Sequence, residues 1–395
     1  MSRILTYRPL LALVVMSSLG LGATGCTPNL GQVTQLTAGS SHTCALISNG
    51  TVRCWGSSSD GELGNGVPVD AGAPAQSSPV QVVNLGFVTQ IAAGGLHTCA
   101  VLGDGTIRCW GENIRGELGN GSNVDSSTSV QPTAVTGATQ VTAGLFHTCA
   151  LINDGTVRCW GKNSDGQLGD GTSTDRSTAV AVSGVSGATQ ISAGDDFTCA
   201  RINDGTVRCW GLNADGQLGD GNRDTNSLTP VAVSGLSGVR KVAAGSSHTC
   251  AIVVAGNPGV KCWGINHRGE LGHGSISGDV TTPIEVALLY PGGPASVVDL
   301  AAGGDHTCAL VSDATVRCWG LNDSGELGDG STASAAAPVL TGGLANATQV
   351  TTGTTHSCKL INDGTVACWG GNSQGQVGDG TTTGRGTPVN VVAGG

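Results

Sequence analysis

The chain has 395 residues, enough for two or three ordinary domains or one large repeat array, with 66 glycines, 12% charged residues and 3% aromatics. So few charged helix formers among so many Gly, Asn, Asp and Ser breaks exclude a helix-rich domain around one deep core. Short Val, Ile, Thr and Leu runs between those breaks make the class all-β. A formal charge of −10, with no cluster of Lys and Arg, excludes an electrostatic footprint for nucleic acid.

Residues 1–25 differ in character from the rest of the chain. Arg3 and Arg8 precede or flank an uncharged, largely apolar stretch from Pro9 to Leu21, and Gly22, Ala23, Thr24 and Gly25 lead to Cys26. This is the pattern of a signal peptide, too short for a typical membrane span. The junction resembles a bacterial lipoprotein box, with Ala23 where leucine is usual. Cys26 is therefore the expected lipidation site, and residues 26–32 a short tether. Without residues 1–25 the 18 basic residues fall by two, to 16, against 28 acidic ones.

From Val33 onward one frame repeats. Its third copy runs Ala143-Gly-Leu-Phe-His147-Thr-Cys149, then Asn153-Asp154-Gly155-Thr-Val-Arg-Cys159-Trp160-Gly161, then Gly166-Gln-Leu168-Gly169-Asp170-Gly171. The frame recurs around Trp55, Trp110, Trp160, Trp210, Trp263, Trp319 and Trp369, all 7 tryptophans of the chain. Within the third copy, strands are predicted near Gln140–Ala143, His147–Ile152, Thr156–Trp160 and Ala179–Val182. Four strands per unit is the count of a propeller blade, and seven units close a ring. Residues 33–395 therefore read as a seven-bladed β-propeller.

The cysteines sharpen that reading. Asn153-Asp154-Gly155 predicts a three-residue hairpin loop, a type I turn followed by glycine in the left-handed region. In that register Cys149 opposes Cys159 at a non-hydrogen-bonded site, where Cα atoms approach to roughly 4.5 Å. The same pairing joins Cys44 to Cys54, Cys99 to Cys109, Cys199 to Cys209, Cys308 to Cys318 and Cys358 to Cys368. Cys250 and Cys262 are two residues further apart, which keeps both side chains on one face. Fourteen of the 15 cysteines pair, leaving Cys26, and such usage belongs to an oxidising compartment.

The same residues could carry other chemistries. His147, Cys149 and Cys159 could converge on a metal, but the fourth copy keeps both cysteines and replaces the histidine by Phe197, which disulfides explain and a metal does not. Asn163, Asp165 and Asp170 loosely resemble a calcium loop without its bidentate glutamate. The tryptophans are expected to pack between blades with the indole N–H bonded. The six histidines of the frame, His42, His97, His147, His248, His306 and His356, are expected to bond backbone near the blade turns. No metal or other cofactor is implied.

The Gly-x-x-His-Thr, Asp-Gly-Thr-Val, Trp-Gly-x-Asn and Gly-Gln-Leu-Gly-Asp-Gly elements resemble the regulator of chromosome condensation repeat family, from about Val33 to Val392. The resemblance implies a seven-bladed propeller closed by strands from both chain ends, with Val33–Leu36 and Pro388–Val392 as the meeting segments. The paired cysteines are an addition to the family pattern. The family's namesake exchanges nucleotide on a small GTPase and binds chromatin through a basic tail, which this sequence lacks. Its longest extra connector, Ser275 to Ser296, is apolar and contains Pro and Gly. A secreted bacterial β-lactamase inhibitor of propeller fold, which binds its enzyme through surface loops, is the nearer analogy.

The expected function is a non-catalytic, monomeric scaffold at the cell envelope, anchored through a lipid or secreted, that binds an unidentified protein partner. Its candidate face is the ring of blade corners, where two residues vary after each Ala-Gly or its equivalent. Leu96, Leu145 and Phe146 beside Asp195, Asp196 and Asp305 make that ring asymmetric, as a specific site requires. The alternatives are an envelope lyase or hydrolase with a channel site, or exchange activity like that of the namesake. His267 and His273 are the only histidines outside the frame, and neither has a paired base or nucleophile motif.

Overall fold

The computed structural model describes residues 30–69, 73–256, 258–287, 297–343 and 346–393. The predicted signal peptide 1–25 and Cys26 lie outside the described residues, as do residues 288–296 of the long connector. Twenty-eight strands, β1 (Val33–Ala38) to β28 (Arg385–Asn390), form seven separate four-stranded antiparallel sheets in chain order. Each sheet is one blade. Among the described residues no helix is long and apolar enough to cross a membrane.

The third blade shows why these residues make these strands. β9 (Ala138–Ala143), β10 (His147–Ile152), β11 (Val157–Gly161) and β12 (Arg176–Ala181) are consecutive neighbours. The hairpin is closed by Gly155 N donating to the Ile152 carbonyl at 2.9 Å and Ile152 N to the Thr156 carbonyl at 2.9 Å. Gly155 sits at φ 80°, as the turn demands. Asp154 Oδ1 accepts from the Thr156 amide at 2.9 Å and its hydroxyl at 2.6 Å, an Asx cap that fixes the strand entry. The register then places Cys149 opposite Cys159. β12 begins three residues before the predicted strand, because Gly161 pairs with Arg176 across a bulge.

All seven predicted disulfides form, with Cα–Cα separations of 4.1 Å in the third blade and 4.0 Å in the seventh. Each lies within one hairpin, so none ties one blade to the next.

What holds the blades together is a repeated set of contacts between neighbours. The apolar cores sit between blades: Trp160 of blade three is fully buried against Cys99, Val101, Cys109 and Leu118 of blade two. Its Nε1 donates to the Glu117 carbonyl at 2.7 Å. Burying ~200 Å² of indole contributes on the order of 4–5 kcal/mol as an upper estimate. The frame histidines do not bond backbone as expected. Each Nε2 instead meets a hydroxyl of the next blade, as in His147 to Thr198 at 2.8 Å. Because Thr198 donates its own proton to the Gln167 carbonyl at 3.1 Å, His147 must be the donor, which fixes its tautomer with the proton on Nε2.

The innermost strands add a belt around the central channel. Gln140 Nε2 donates to the Ile191 carbonyl at 2.9 Å, and the Ile191 amide returns a bond to its Oε1 at 2.9 Å. Gln35, Gln90, Gln190 and Gln349 clamp their neighbours in the same two-bond way. At the two remaining interfaces Lys241 and Asp299 replace glutamine and pair with each other. Asp299 also accepts from the amides of Leu300 and Val350. Where each inner strand ends, glycine allows backbone to touch backbone: a Cβ on Gly144 would stand 2.4 Å from the Gly194 carbonyl oxygen.

Closure differs from the expectation. Val33–Leu36 lies in blade one and Pro388–Val389 in blade seven, so the chain ends do not share a sheet. They pack instead in one core, Val33 and Leu36 with Val389 and Val391. Blade seven meets blade one through the ordinary inter-blade set: Trp55 Nε1 to the Gln376 carbonyl at 2.9 Å, and His356 to Thr43 at 2.7 Å. Each blade is complete from consecutive sequence, so no strand exchange is needed.

Candidate functional site

Strand direction sorts the loops onto two end faces. β9 and β11 both run toward one end, so the corner 144–146 and the long connector 162–175 lie there, while the hairpin 153–156 lies at the other. The same holds in every blade. The corner face therefore carries all the predicted binding positions, and the structure divides them into two rings. The first residue of each corner pair, including Leu145 and Asp195, lines the mouth of the central channel, a cavity of about 260 Å³. The second residue, including Leu96, Phe146, Asp196 and Asp305, stands outside the mouth beside the connectors. Its carbonyl accepts from the residue after Trp-Gly of the same blade, as Phe146 does from the Lys162 amide at 2.8 Å.

All six predicted residues are half-buried. Burial pushes the Asp195 carboxyl up to about 6, opposed by the Ser246 hydroxyl and reinforced by Asp196. Asp196 is the centre of a small network. It pairs with Lys162 Nζ at 2.9 Å and accepts from Gln167 Nε2 at 2.8 Å. Burial also raises Asp305, with Arg268 and His267 working against it. Of the two histidines outside the frame, His267 pairs with Asp279 at 3.1 Å and His273 bonds Ser275 at 2.8 Å.

The connectors are organised from within. Asn163 Nδ2 donates to Asp170 Oδ1 and to the carbonyls of Thr172 and Thr174, at 3.2, 3.0 and 3.1 Å, while its Oδ1 accepts from the Leu168 amide. The amide thus occupies the centre that a cation would take in a calcium loop. The channel wall offers clamped glutamines, small residues and the Lys241–Asp299 pair.

Sequence reasoning missed one ring. The residue after each Trp-Gly is Ser57, Glu112, Lys162, Leu212, Ile265, Leu321 or Gly371, and it lies beside the outer corner residues on the same face. The signal was available, since this place varies within an otherwise constant frame just as the corner pairs do.

Fold and face together define a disulfide-stapled seven-bladed propeller whose variable side chains gather around one end of its channel. Residues 19–293 match the RCC1-like domain, and residues 297–326 and 313–360 match the regulator of chromosome condensation (RCC1) repeat. The chain belongs to this family. Among curated relatives, the human E3 ubiquitin-protein ligase HERC2 is 29% identical over 74% of this chain and 5% of its own length. The Arabidopsis thaliana Ultraviolet-B receptor UVR8 is 31% identical over 76% of this chain and 56% of its own. The chain thus spans only part of these relatives. Among solved structures, yeast RCC1 (Prp20) bound to Kap60 aligns with a TM-score of 0.76 at 21% identity, covering 99% of this chain and 91% of that one. The ectodomain of the Arabidopsis thaliana receptor kinase ACR4 aligns at 0.52 and 18% identity, covering 92% and 98%. These structures speak for the fold.

Proposed function

We propose that this chain is an exported, non-catalytic propeller that binds a protein partner through its corner face. Residues 1–25 direct export, and Cys26 carries the lipid that anchors the protein to the cell envelope. The observation that carries the reading is the concentration of variable residues on one face of an otherwise repeated frame. Leu145 and Phe146 project there beside Asp195 and Asp196 from a wall locked by clamps, indoles and histidines. Such a surface is preorganised, so little ordering entropy opposes binding. Seven hairpin disulfides support an oxidising compartment. Solved yeast RCC1 holds Kap60, which supports a protein partner for this fold, and a receptor ectodomain of the same fold supports an extracytoplasmic setting.

The test is crosslinked capture from the native envelope with three forms of the chain: wild type, Leu145→Ala with Phe146→Ala, and Phe87→Gly. Phe87 is 86% exposed on the opposite face, at φ 58°, where glycine relieves strain. A protein retained by wild type and by Phe87→Gly but lost from the corner variant supports the reading. Loss from Phe87→Gly alone, or unchanged capture by all three, overturns it.

A further inference from the structure

On the hairpin face, opposite the corners, the residue just before each inner strand sits in a slot between two hairpins and holds the next one by its carbonyl. Gly137 accepts in this way from the Asn153 amide and Gly187 from the Asn203 amide, both at 2.9 Å. These glycines stand at φ 68° and 67°, and Gly238 at 65°. Between blades one and two the slot holds Phe87 instead, at φ 58° and 86% exposed. Its carbonyl makes the same bond, to the Gly103 amide at 2.9 Å. A bulky residue in the left-handed region is strained, and the fold recovers nothing from the ring, which stays in water. Room has nonetheless been made for it. A Cβ on Gly187 would stand 2.9 Å from Asn203 Nδ2, whereas the hairpin facing Phe87 carries Gly103 in place of that asparagine.

The chain enters the ring in the adjacent slot. Between blades seven and one Gln32 takes the place of Phe87, its carbonyl accepting from the Ser48 amide at 2.9 Å, and Leu30 is buried in the core that Ile47 and Leu360 share. A single hairpin tip, residues 48–50, separates this entry from Phe87, and the Gly50 carbonyl accepts from the Val88 amide at 3.1 Å. Leu30 follows Cys26 by four positions, a length of chain that reaches at most roughly 14 Å. β1, with 6 residues, carries the chain about 20 Å away from the hairpin face. A lipid on Cys26 therefore brings the hairpin face, and not the corner face, to the bilayer. The intervening hairpin suits headgroups. Its tip is Asn49, whose Oδ1 accepts from the Thr51 amide at 3.0 Å and hydroxyl at 2.7 Å, where the flanking hairpins carry Asp104 and Asp363. Arg108 and Arg158 lie within Coulombic reach of Asp104 and Asp154 in their own hairpins. The half-buried Arg53 has no aspartate in its hairpin, and a guanidinium so placed matches lipid phosphate.

We propose that the hairpin face docks on the bilayer holding the Cys26 lipid, with the Phe87 ring entering the boundary between headgroups and acyl chains and Arg53 meeting phosphate. This rests on the lipid anchor of the proposed function, to which it adds the second contact that a stable anchor needs. The corner face then points away from the membrane, toward a partner. Loss of the ring loosens the docking without releasing the lipid.

The experiment reconstitutes the mature chain, purified from membranes and checked for its acyl groups by intact mass, into phosphatidylethanolamine–phosphatidylglycerol vesicles. Bromine on the acyl chains of the vesicles serves as a short-range quencher of indole. The 7 native tryptophans are fully buried near the corner end of their strands, so bromine should leave them alone. Phe87→Trp should add emission that brominated vesicles quench and unbrominated ones do not. Phe146→Trp, on the corner face, should add emission that neither quenches. Phe87→Gly, which installs the residue of the other slots, should unfold at the same or a higher urea concentration than wild type. An acylated chain whose Phe87→Trp emission is unquenched, or quenched no more than that of Phe146→Trp, overturns the docking and leaves the anchor standing. A mature chain without acyl mass overturns both. Marked loss of stability in Phe87→Gly also overturns the docking, because it makes the ring part of the fold.

Discussion

Replacing His147 by Phe isolates the acid sensitivity built into the blade interfaces. The substitution is one the frame already accepts, because Phe197 occupies this place in blade four and is fully buried. At neutral pH the change removes one hydrogen bond to Thr198, worth ~1 kcal/mol. It also removes a buried Nδ1 that has no partner, so the two effects roughly offset. The pH dependence is where the variant must differ. Burial lowers His147 from the ordinary 6.5 to about 4, with Asp196 opposing and Lys162 reinforcing the shift. A base with a depressed folded pKa binds its proton more readily once unfolded. Its contribution is complete above the unfolded value and is lost as pH falls from about 6.5 toward about 4. In the middle of that window one proton difference is worth ~1.4 kcal/mol per pH unit, and the whole window ~3 kcal/mol.

Urea unfolding followed by tryptophan fluorescence, with disulfides intact, measures this between about pH 7 and about pH 4.5. Glu112, Glu117 and Asp195 titrate with the opposite sign, since burial raises them. They are common to both proteins and cancel in the difference. The variant should gain on wild type by ~1 kcal/mol for each unit of acidification below about pH 6. Parallel stability curves would refute both the fixed neutral tautomer and the role of burial.

Two further outcomes come from the fold. Cys149→Ala with Cys159→Ala opens a staple of sequence separation 10 and should cost about 2–3 kcal/mol in the same urea assay; no loss would mean the unfolded chain gains nothing when that hairpin is opened. Lys241→Gln should cost about 1–3 kcal/mol, because the Asp299 side chain is only 13% exposed and loses its cation. Adding Asp299→Gln restores the amide found at the other five interfaces and should recover most of that loss. A coupling below ~0.5 kcal/mol in this cycle would show that the pair is incidental.

Much of the fold is legible in the sequence alone. The period, four strands per unit and opposed cysteines come from turn chemistry and the two-residue strand period. They are properties of single hairpins, and a hairpin is local in sequence. How one blade meets the next is not local. The histidine partners, Thr198 for His147 and Thr43 for His356, lie 51 and 313 residues away. Backbone bonding is the natural local expectation, and it is wrong. The glutamine belt escapes notice for the same reason, since Gln140 reads as an ordinary strand residue until Ile191 is placed beside it. Closure by a shared sheet came from family resemblance. The local pattern of four complete strands in the seventh copy already favours the arrangement found.

The departures from the repeat separate into two kinds. Some are compensated inside the fold. Lys241 is matched by Asp299, the two extra residues between Cys250 and Cys262 preserve the strand face, and Phe197 fills the space of a histidine while Thr249 keeps its bond to the Gln217 carbonyl at 3.0 Å. These cost the frame little, and drift under a stability constraint accounts for them. Others are left open, and they are spread round the ring: Glu62, Glu117 and Glu270, which share one position of the frame, each bury an Oε1 without a hydrogen-bond partner, and Glu112 buries its Oε2 in the same way. At that shared position blade three instead carries Gln167, whose Nε2 donates to Asp196 at 2.8 Å, so the same backbone also holds a satisfied version. Burial raises the carboxyls of Glu62, Glu112, Glu117 and Glu270, and a protonated carboxyl is the neutral form that such a site tolerates at lower cost.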